Sequence, residues 1–344
     1  MFVASRNDSA AAASSPQGGE AAVSARGLAK RFGKIEAVRG IDLDVAPGEA
    51  FGFLGPNGAG KSTTINMLCT LASPSSGTAR VAGFDVLKQR DEVRCHIGLV
   101  FQDSTLDVYL SAEQNLRFHA ELYGIPRALT SSRIQQLMQM VGLWERRQSL
   151  VRTFSGGMKR RIEIARGLLH SPRVLFLDEP TVGLDPQTRS SIWAYLHALR
   201  QREEITLFMT THSMEEAEYC DRIAIMDGGR IVALGTPEAL KAEVGKDRVQ
   251  IRTADNTAAM AALNTRFGLD AAIRDGALSF AVREGERFVP RLFGELGTAI
   301  RSVSVARPTL DDVFMAYTGT TIRDAEATRA ERNRAGPFVR GRQA

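Results

Sequence analysis

Short apolar runs alternate along this chain with stretches whose apolar residues recur at helical spacing. Ile41-Asp42-Leu43-Asp44-Val45 alternates apolar and acidic positions, the pattern of a half-exposed antiparallel strand. Pro47-Gly48-Glu49 turns the chain into Ala50-Phe51-Gly52-Phe53-Leu54, which reads as a short buried strand. Residues 78–81, 97–101 and 205–210 read as further strands, and Val174-Leu175-Phe176-Leu177 is the continuous run of a central parallel strand. From about Ser111 to His170 the period becomes helical, over 113–123, 132–141 and 158–169. That predicts a helical insertion in a mostly β and α/β core. A helix follows over about 188–200. Beyond it, residues 246–318 mix short apolar runs (Val249-Gln250-Ile251, Ala277 to Val282) with helical stretches, which predicts a small α+β appendage.

Composition narrows the class. The chain has 344 residues, 44% hydrophobic and 24% charged, enough for a large domain with a full core and a smaller one beside it. No stretch approaches the roughly 18–20 uninterrupted apolar residues of a membrane span. The N-terminal Ala/Ser/Gly-rich stretch lacks a signal-peptide core, so a cytosolic protein is expected. Residues 1–22 and the Arg-rich 319–344 have no periodicity and read as disordered tails, the second of them available to membrane or acidic partners. Cys69, Cys95 and Cys220 lie far apart, which excludes a disulfide framework or zinc site and predicts small core residues. The net charge of +5 fits nucleic acid or an anionic membrane surface, but equally an ordinary cytosolic protein.

The chemistry centres on Gly55-Pro56-Asn57-Gly58-Ala59-Gly60-Lys61-Ser62-Thr63, which fills G-x-x-x-x-G-K-[ST] between a predicted strand and a predicted helix. Its glycines let backbone amides turn inward, and the helix start adds positive dipole. Lys61 is spaced to reach β- and γ-phosphates, and Ser62 to ligate Mg²⁺. Asp178-Glu179 closes the central strand, where parallel sheets bind ligands. Asp178 suits Mg²⁺ and Glu179 suits polarising a water, although two acids after a strand also make an ordinary turn. Ser155-Gly156-Gly157 starts a helix and reads either as a second anion site or as a common loop. Phe32 is equally a base-stacking platform or a core residue. His212, at a strand end, is placed to contact phosphate, but a lone histidine is often structural.

These features, with Gln102 after the 97–101 strand, stand in an order that resembles the nucleotide-binding subunit of ATP-binding cassette (ABC) transporters, over about residues 23–240. The resemblance implies a P-loop cassette with an antiparallel β subdomain and an inserted helical subdomain (about 104–170) within 23–245. It implies roles as well. Gly55 to Thr63 would be Walker A, Phe32 the adenine-stacking aromatic, and Gln102 the Q-loop residue sensing Mg²⁺ and coupling to the membrane partner. Ser155, Gly156 and Gly157 would bind the γ-phosphate held by the opposite subunit of a homodimer that sandwiches two ATP molecules. Asp178 would hold Mg²⁺, Glu179 would be the catalytic base, Asp185 the D-loop and His212 the switch histidine. The usual Leu-Ser-Gly-Gly-Gln is here Phe154-Ser155-Gly156-Gly157-Met158, so the glutamine amide is absent while the serine and glycine donors remain.

Pro308-Thr309-Leu310-Asp311-Asp312-Val313-Phe314 resembles the close of daunorubicin-resistance-like ATPases, whose appendage is associated with dimerisation or regulation. The same residues equally read as a capped terminal helix starting at Thr309. The resemblance implies an ATPase that powers an ABC-2 type exporter at the cytoplasmic face of the membrane. Its permease would be a separate polypeptide and nucleic acid no direct partner. The contrasting class is a soluble ABC ATPase acting on ribosomes or DNA. A single P-loop and the lack of sustained heptads favour transport. A P-loop kinase leaves the Ser155-Gly156-Gly157 helix unexplained.

Overall fold

The computed structural model describes residues 21–274 and 276–319, so nearly all of both expected disordered tails lies outside the described residues. The chain packs as two units. One runs to Phe53 and includes Gly60–Thr211 and Gly228–Arg230; the other holds Leu54–Ala59, His212–Asp227 and the chain from Ile231 onward.

The first unit begins with two long antiparallel strands, β1 (Val23–Phe32) and β2 (Ile35–Val45), followed by β3 (Ala50–Leu54) and α1 (Lys61–Leu68). Next come β4 (Ser76–Val81), β5 (Phe84–Asp85), α2 (Arg90–His96) and β6 (Ile97–Val100). The helical part holds α3 (Ala112–Leu122), α4 (Arg127–Met140) and α5 (Gly156–Gly167), and β7 (Val174–Asp178), α6 (Pro186–Glu203) and β8 (Thr206–Thr211) complete the unit. β2-β1-β4-β5 form one antiparallel sheet, with Val23 of β1 opposite both Val45 and Val81. In a second sheet β3, β8, β7 and β6 lie side by side in that order.

Local chemistry sets the helix boundaries. Ser111 and Gln114 form a reciprocal capping box at the start of α3. Asp185 caps α6, where Pro186 opens the helix with its pre-set φ. The strands β7 and β8 are buried almost throughout, as strands covered on both faces must be. Phe51, Phe53, Phe176 and Phe208 meet in their core with ring centroids 5.2–5.7 Å apart. Parallel pairing sets Val100 opposite Leu177 and Asp178 opposite Thr210, so three strands end at one edge.

Two cysteines are buried, but Cys95 is exposed, contrary to the core reading. It lies on α2, a seven-residue helix that buries only Val93.

The second unit contains α7 (Met214–Ala217), β9 (Arg222–Asp227), β10 (Arg230–Gly235) and α8 (Pro237–Val244). Then follow β11 (Asp247–Thr253), α9 (Asn256–Phe267), β12 (Ala272–Arg274), β13 (Ala277–Val282), α10 (Gly285–Glu295), β14 (Ile300–Ala306) and α11 (Leu310–Thr318). The sheet order β12-β13-β11-β14 with antiparallel pairing is the ferredoxin-like βαββαβ arrangement, the predicted α+β appendage. Val249, Ile251, Leu278 and Phe280 turn inward against Ala259 and Leu263 of α9 and Leu292 of α10. Thr309 and Asp312 form a capping box for α11, which buries Leu310, Val313 and Phe314 and packs against α8.

One close approach in the first unit is directly testable. A Cβ on Gly98 of β6 would lie 2.3 Å from the Gly167 carbonyl oxygen at the end of α5 and 2.7 Å from Leu175. Gly98→Ala must therefore push α5 off the sheet. The expected cost is about 1–3 kcal/mol of stability in denaturant unfolding. An unchanged midpoint would mean that the helix end adapts freely.

Candidate functional site

The loop from Gly55 to Gly60 leaves β3 and enters α1 through two left-handed glycines, Gly58 (φ 77°) and Gly60 (φ 110°). A Cβ on Gly55 would sit 2.2 Å from the Met226 carbonyl oxygen, so glycine is required there. The Thr64 amide and hydroxyl both donate to the Gly60 carbonyl at 2.9 Å, fixing the first turn. No acidic side chain occupies that turn; the carboxylates facing it come from the end of β7. Asn57 and Gly58 are exposed, while Pro56 and Ala59 are buried; Thr63 is half-buried on α1.

Lys61 begins α1 with its side chain only 4% exposed, and its ammonium lies 3.7 Å from Glu179 Oε1. The other carboxylate oxygen of Glu179 accepts from Gln102 Nε2 at 3.1 Å. Ser62 Oγ donates to Asp178 Oδ1 at 3.1 Å. Thr210 Oγ1, set opposite Asp178 by the strand register, donates to the same oxygen and accepts from the Glu179 amide at 3.0 Å. Glu179 itself is left-handed, φ 46°, a conformation that a side chain of this size seldom adopts. Five residues singled out in the sequence, Lys61, Ser62, Gln102, Asp178 and Glu179, thus converge on one edge, and Thr210 joins them. The sequence displayed Thr210 only as a strand residue, because its partners are set by the neighbouring strand.

The serine–glycine segment is built differently. Ser155 caps α5 by accepting from the Met158 amide at 3.3 Å. A Cβ on Gly157 would come within 2.2 Å of Thr188 Cγ2, and one on Gly156 within 3.2 Å of Leu184. The Asp185 carboxylate accepts from the Thr188 amide at 2.9 Å and hydroxyl at 2.6 Å, which hold it below the usual carboxylate range. The starts of α5 and α6 are therefore packed together, with the Ser155 and Asp185 bonds running to their own helices. Phe154 is buried, with the Arg146 guanidinium 5.2 Å from its ring centre.

Phe32 is 53% exposed at the end of β1, with the Lys30 ammonium 4.9 Å from its ring centre, which excludes a core role. His212 follows β8 and is half-buried. The pairing of Ser62 hydroxyl with Asp178 carboxylate is an all-oxygen donor set of the kind a hard divalent cation takes. Among the described residues no helix is long and apolar enough to cross a membrane.

Comparison with known proteins gives this geometry a family. Residues 38–182 match the family described as ABC transporter, and residues 235–318 match the ATP-binding protein DrrA1-3-like C-terminal domain. The chain is 39% identical to the daunorubicin resistance ATP-binding protein DrrA3 of Streptomyces coeruleorubidus, over 90% of this chain and 99% of that one. It is 38% identical to the linearmycin resistance ATP-binding protein LnrL of Bacillus subtilis, over 87% and 99% of the two chains. A Nod factor export ATP-binding protein I of Cupriavidus metallidurans is 38% identical over 87% and 98%. The structure of cbiO1 from Clostridium perfringens, part of an ABC transporter complex, superposes with a TM-score of 0.62 at 30% identity, covering 65% of this chain and 92% of that one. A chain from a dimeric ATP-binding cassette in a post-hydrolysis state, bound to ADP and Pi, gives 0.57 at 26% identity, over 62% and 98%. A phosphate-binding loop, paired strand-end acids and a family match at both ends of the fold make this chain an ATPase subunit of the ABC transporter family, in its daunorubicin-resistance-like branch.

Proposed function

We propose that the chain powers an ABC-2 type exporter, pairing with a second copy of itself and with a separate membrane permease at the cytoplasmic face. The observation that carries this reading is the convergence of Lys61, Ser62, Gln102, Asp178 and Glu179 at the strand ends. The relatives are named for daunorubicin resistance, linearmycin resistance and Nod factor export, and this variety supports a generic motor whose permease selects the substrate.

In this reading the loop amides from Gly55 to Thr63 cradle the phosphates of ATP, and Phe32 offers its exposed ring to the adenine. Ser62, Asp178 and Gln102 would hold Mg²⁺, which would supply charge neutralisation at the phosphate oxygens. Both oxygens of Glu179 are engaged here, one by Lys61 and one by Gln102. Transfer of the Lys61 ammonium to phosphate frees one of them to orient water, so substrate arrival itself arms the base. Ser155, Gly156 and Gly157 of the second copy close over the γ-phosphate, with Asp185 at the subunit contact and His212 in the role of switch histidine.

An open cavity of about 350 Å³ lies beside the Gln102 segment, lined by Leu71, Leu99, Phe101 and Tyr123 with Arg94 and Arg166. We assign this groove to the permease, since exposed Leu71, Phe101 and Tyr123 with the Arg94 cation beside them suit an amphipathic cytoplasmic helix.

Three outcomes follow. Glu179→Gln is expected to retain ATP and to trap a dimer on size exclusion; full steady-state turnover would remove Glu179 as base. Lys61→Ala should weaken ATP binding by at least about tenfold, on the order of a charge-assisted bond lost, and an unchanged dissociation constant would contradict the loop assignment. Leu71→Glu places a carboxylate on the exposed apolar wall of the groove and should abolish co-purification of the permease from membranes. Its basal ATPase should persist; retained co-purification would move the docking site elsewhere.

A further inference from the structure

We infer that Arg160 is a positioning residue that sets the geometry of Glu179 and of the Gln102 segment from the helix carrying Ser155. The inference rests on the reading of Glu179 as catalytic base. Arg160 lies one turn into α5 with its side chain 6% exposed. Its guanidinium donates to three successive carbonyls at the end of β7. Nη2 reaches Asp178 and Glu179, both at 3.1 Å, and Nε reaches Pro180 at 2.6 Å. Nη1 donates to the Phe101 carbonyl, next to Gln102, and to Glu163 Oε2 at 3.1 Å. The second oxygen of Glu163 accepts from the Thr105 amide at 3.0 Å. One buried pair on α5 therefore grips both sides of Gln102 and the turn that carries Glu179.

The turn needs such a grip. Three carbonyls facing one point repel each other, and Glu179 adds the strain of a left-handed, non-glycine backbone. A delocalised cation at that point answers both, with all its donors in a planar fork. A lysine ammonium at the same place keeps the charge but reaches only some of the acceptors. Because Ser155 opens the same helix, a tilt of α5 on subunit closure is carried through Arg160 to the base and to Gln102 together.

The test is a double-mutant cycle in the full-length protein, read by single-turnover hydrolysis of ATP with Mg²⁺ and by equilibrium ATP binding. Arg160→Lys should lower the hydrolysis rate about 10- to 100-fold, the scale of an ångström-sized misplacement, with ATP affinity changed less than about twofold. Combined with Glu179→Gln, its loss should be clearly smaller than in the wild-type background, because much of its effect runs through Glu179. Additive losses, or loss of rate and ATP affinity together, would overturn the inference. Should Arg160→Lys not fold, Glu163→Gln loosens the same grip while keeping its volume; a smaller loss, again reduced in the Glu179→Gln background, is expected, and additivity overturns it equally. A Glu179→Gln protein that hydrolyses at the full rate would instead fail the reading of the base itself.

Discussion

Charge that leaves water must find a partner, and that requirement organises the centre of this molecule. Lys61, Glu179, Arg160 and Glu163 have side chains 4%, 6%, 6% and 3% exposed. An isolated buried charge of any of these kinds would cost several kcal/mol or neutralise itself. Here Lys61 faces Glu179 and Arg160 faces Glu163; the second Glu179 oxygen accepts from Gln102, that of Glu163 from the Thr105 amide, and Arg160 also donates to the Asp178, Glu179, Pro180 and Phe101 carbonyls. The pairing is tolerable only because strands, loop and helix bring the partners within reach. Removing one member therefore strands the other.

The sheet supplies the reach. Parallel register ends β6, β7 and β8 at a common edge, so residues distant in sequence become neighbours without any long loop. Glycine allows the remaining close approaches. Gly98 lets the end of α5 lie against β6, and Gly157 lets the start of the same helix meet Thr188. The missing glutamine of the signature is thereby placed in context. At position 158 the backbone amide, not the side chain, is what Ser155 engages.

The ferredoxin-like part of the second unit follows a simpler rule, with one face of its sheet buried under two helices. Arg248, Gln250 and Arg252 alternate with the inward Val249 and Ile251 along β11 and are exposed. The Thr309–Asp312 capping box settles the local meaning of the terminal motif: it starts α11, whose Leu310, Val313 and Phe314 are buried while Tyr317 donates to Glu243 at 2.8 Å. Capped helix and family resemblance describe the same residues.

The sequence by itself determined whatever is encoded at short range. Apolar runs and helical spacing set the strand-rich core, the helical insertion and the α+β appendage, because burial periodicity is local. The glycine loop with Lys61 and Ser62, the acids after β7, and the caps at Ser155 and Thr309 were legible for the same reason. What only tertiary structure decided was which of these meet. Phe32, open between core and platform, is exposed because it closes β1 at the hairpin, past the last residue paired with β4, and Cys95 is exposed because its helix is too short to bury more than one residue. Thr210 becomes part of the site through a strand pairing, and Arg160 through acceptors up to 59 positions away. No spacing in the chain announces such contacts, since they exist only once the sheet edge and α5 have packed together.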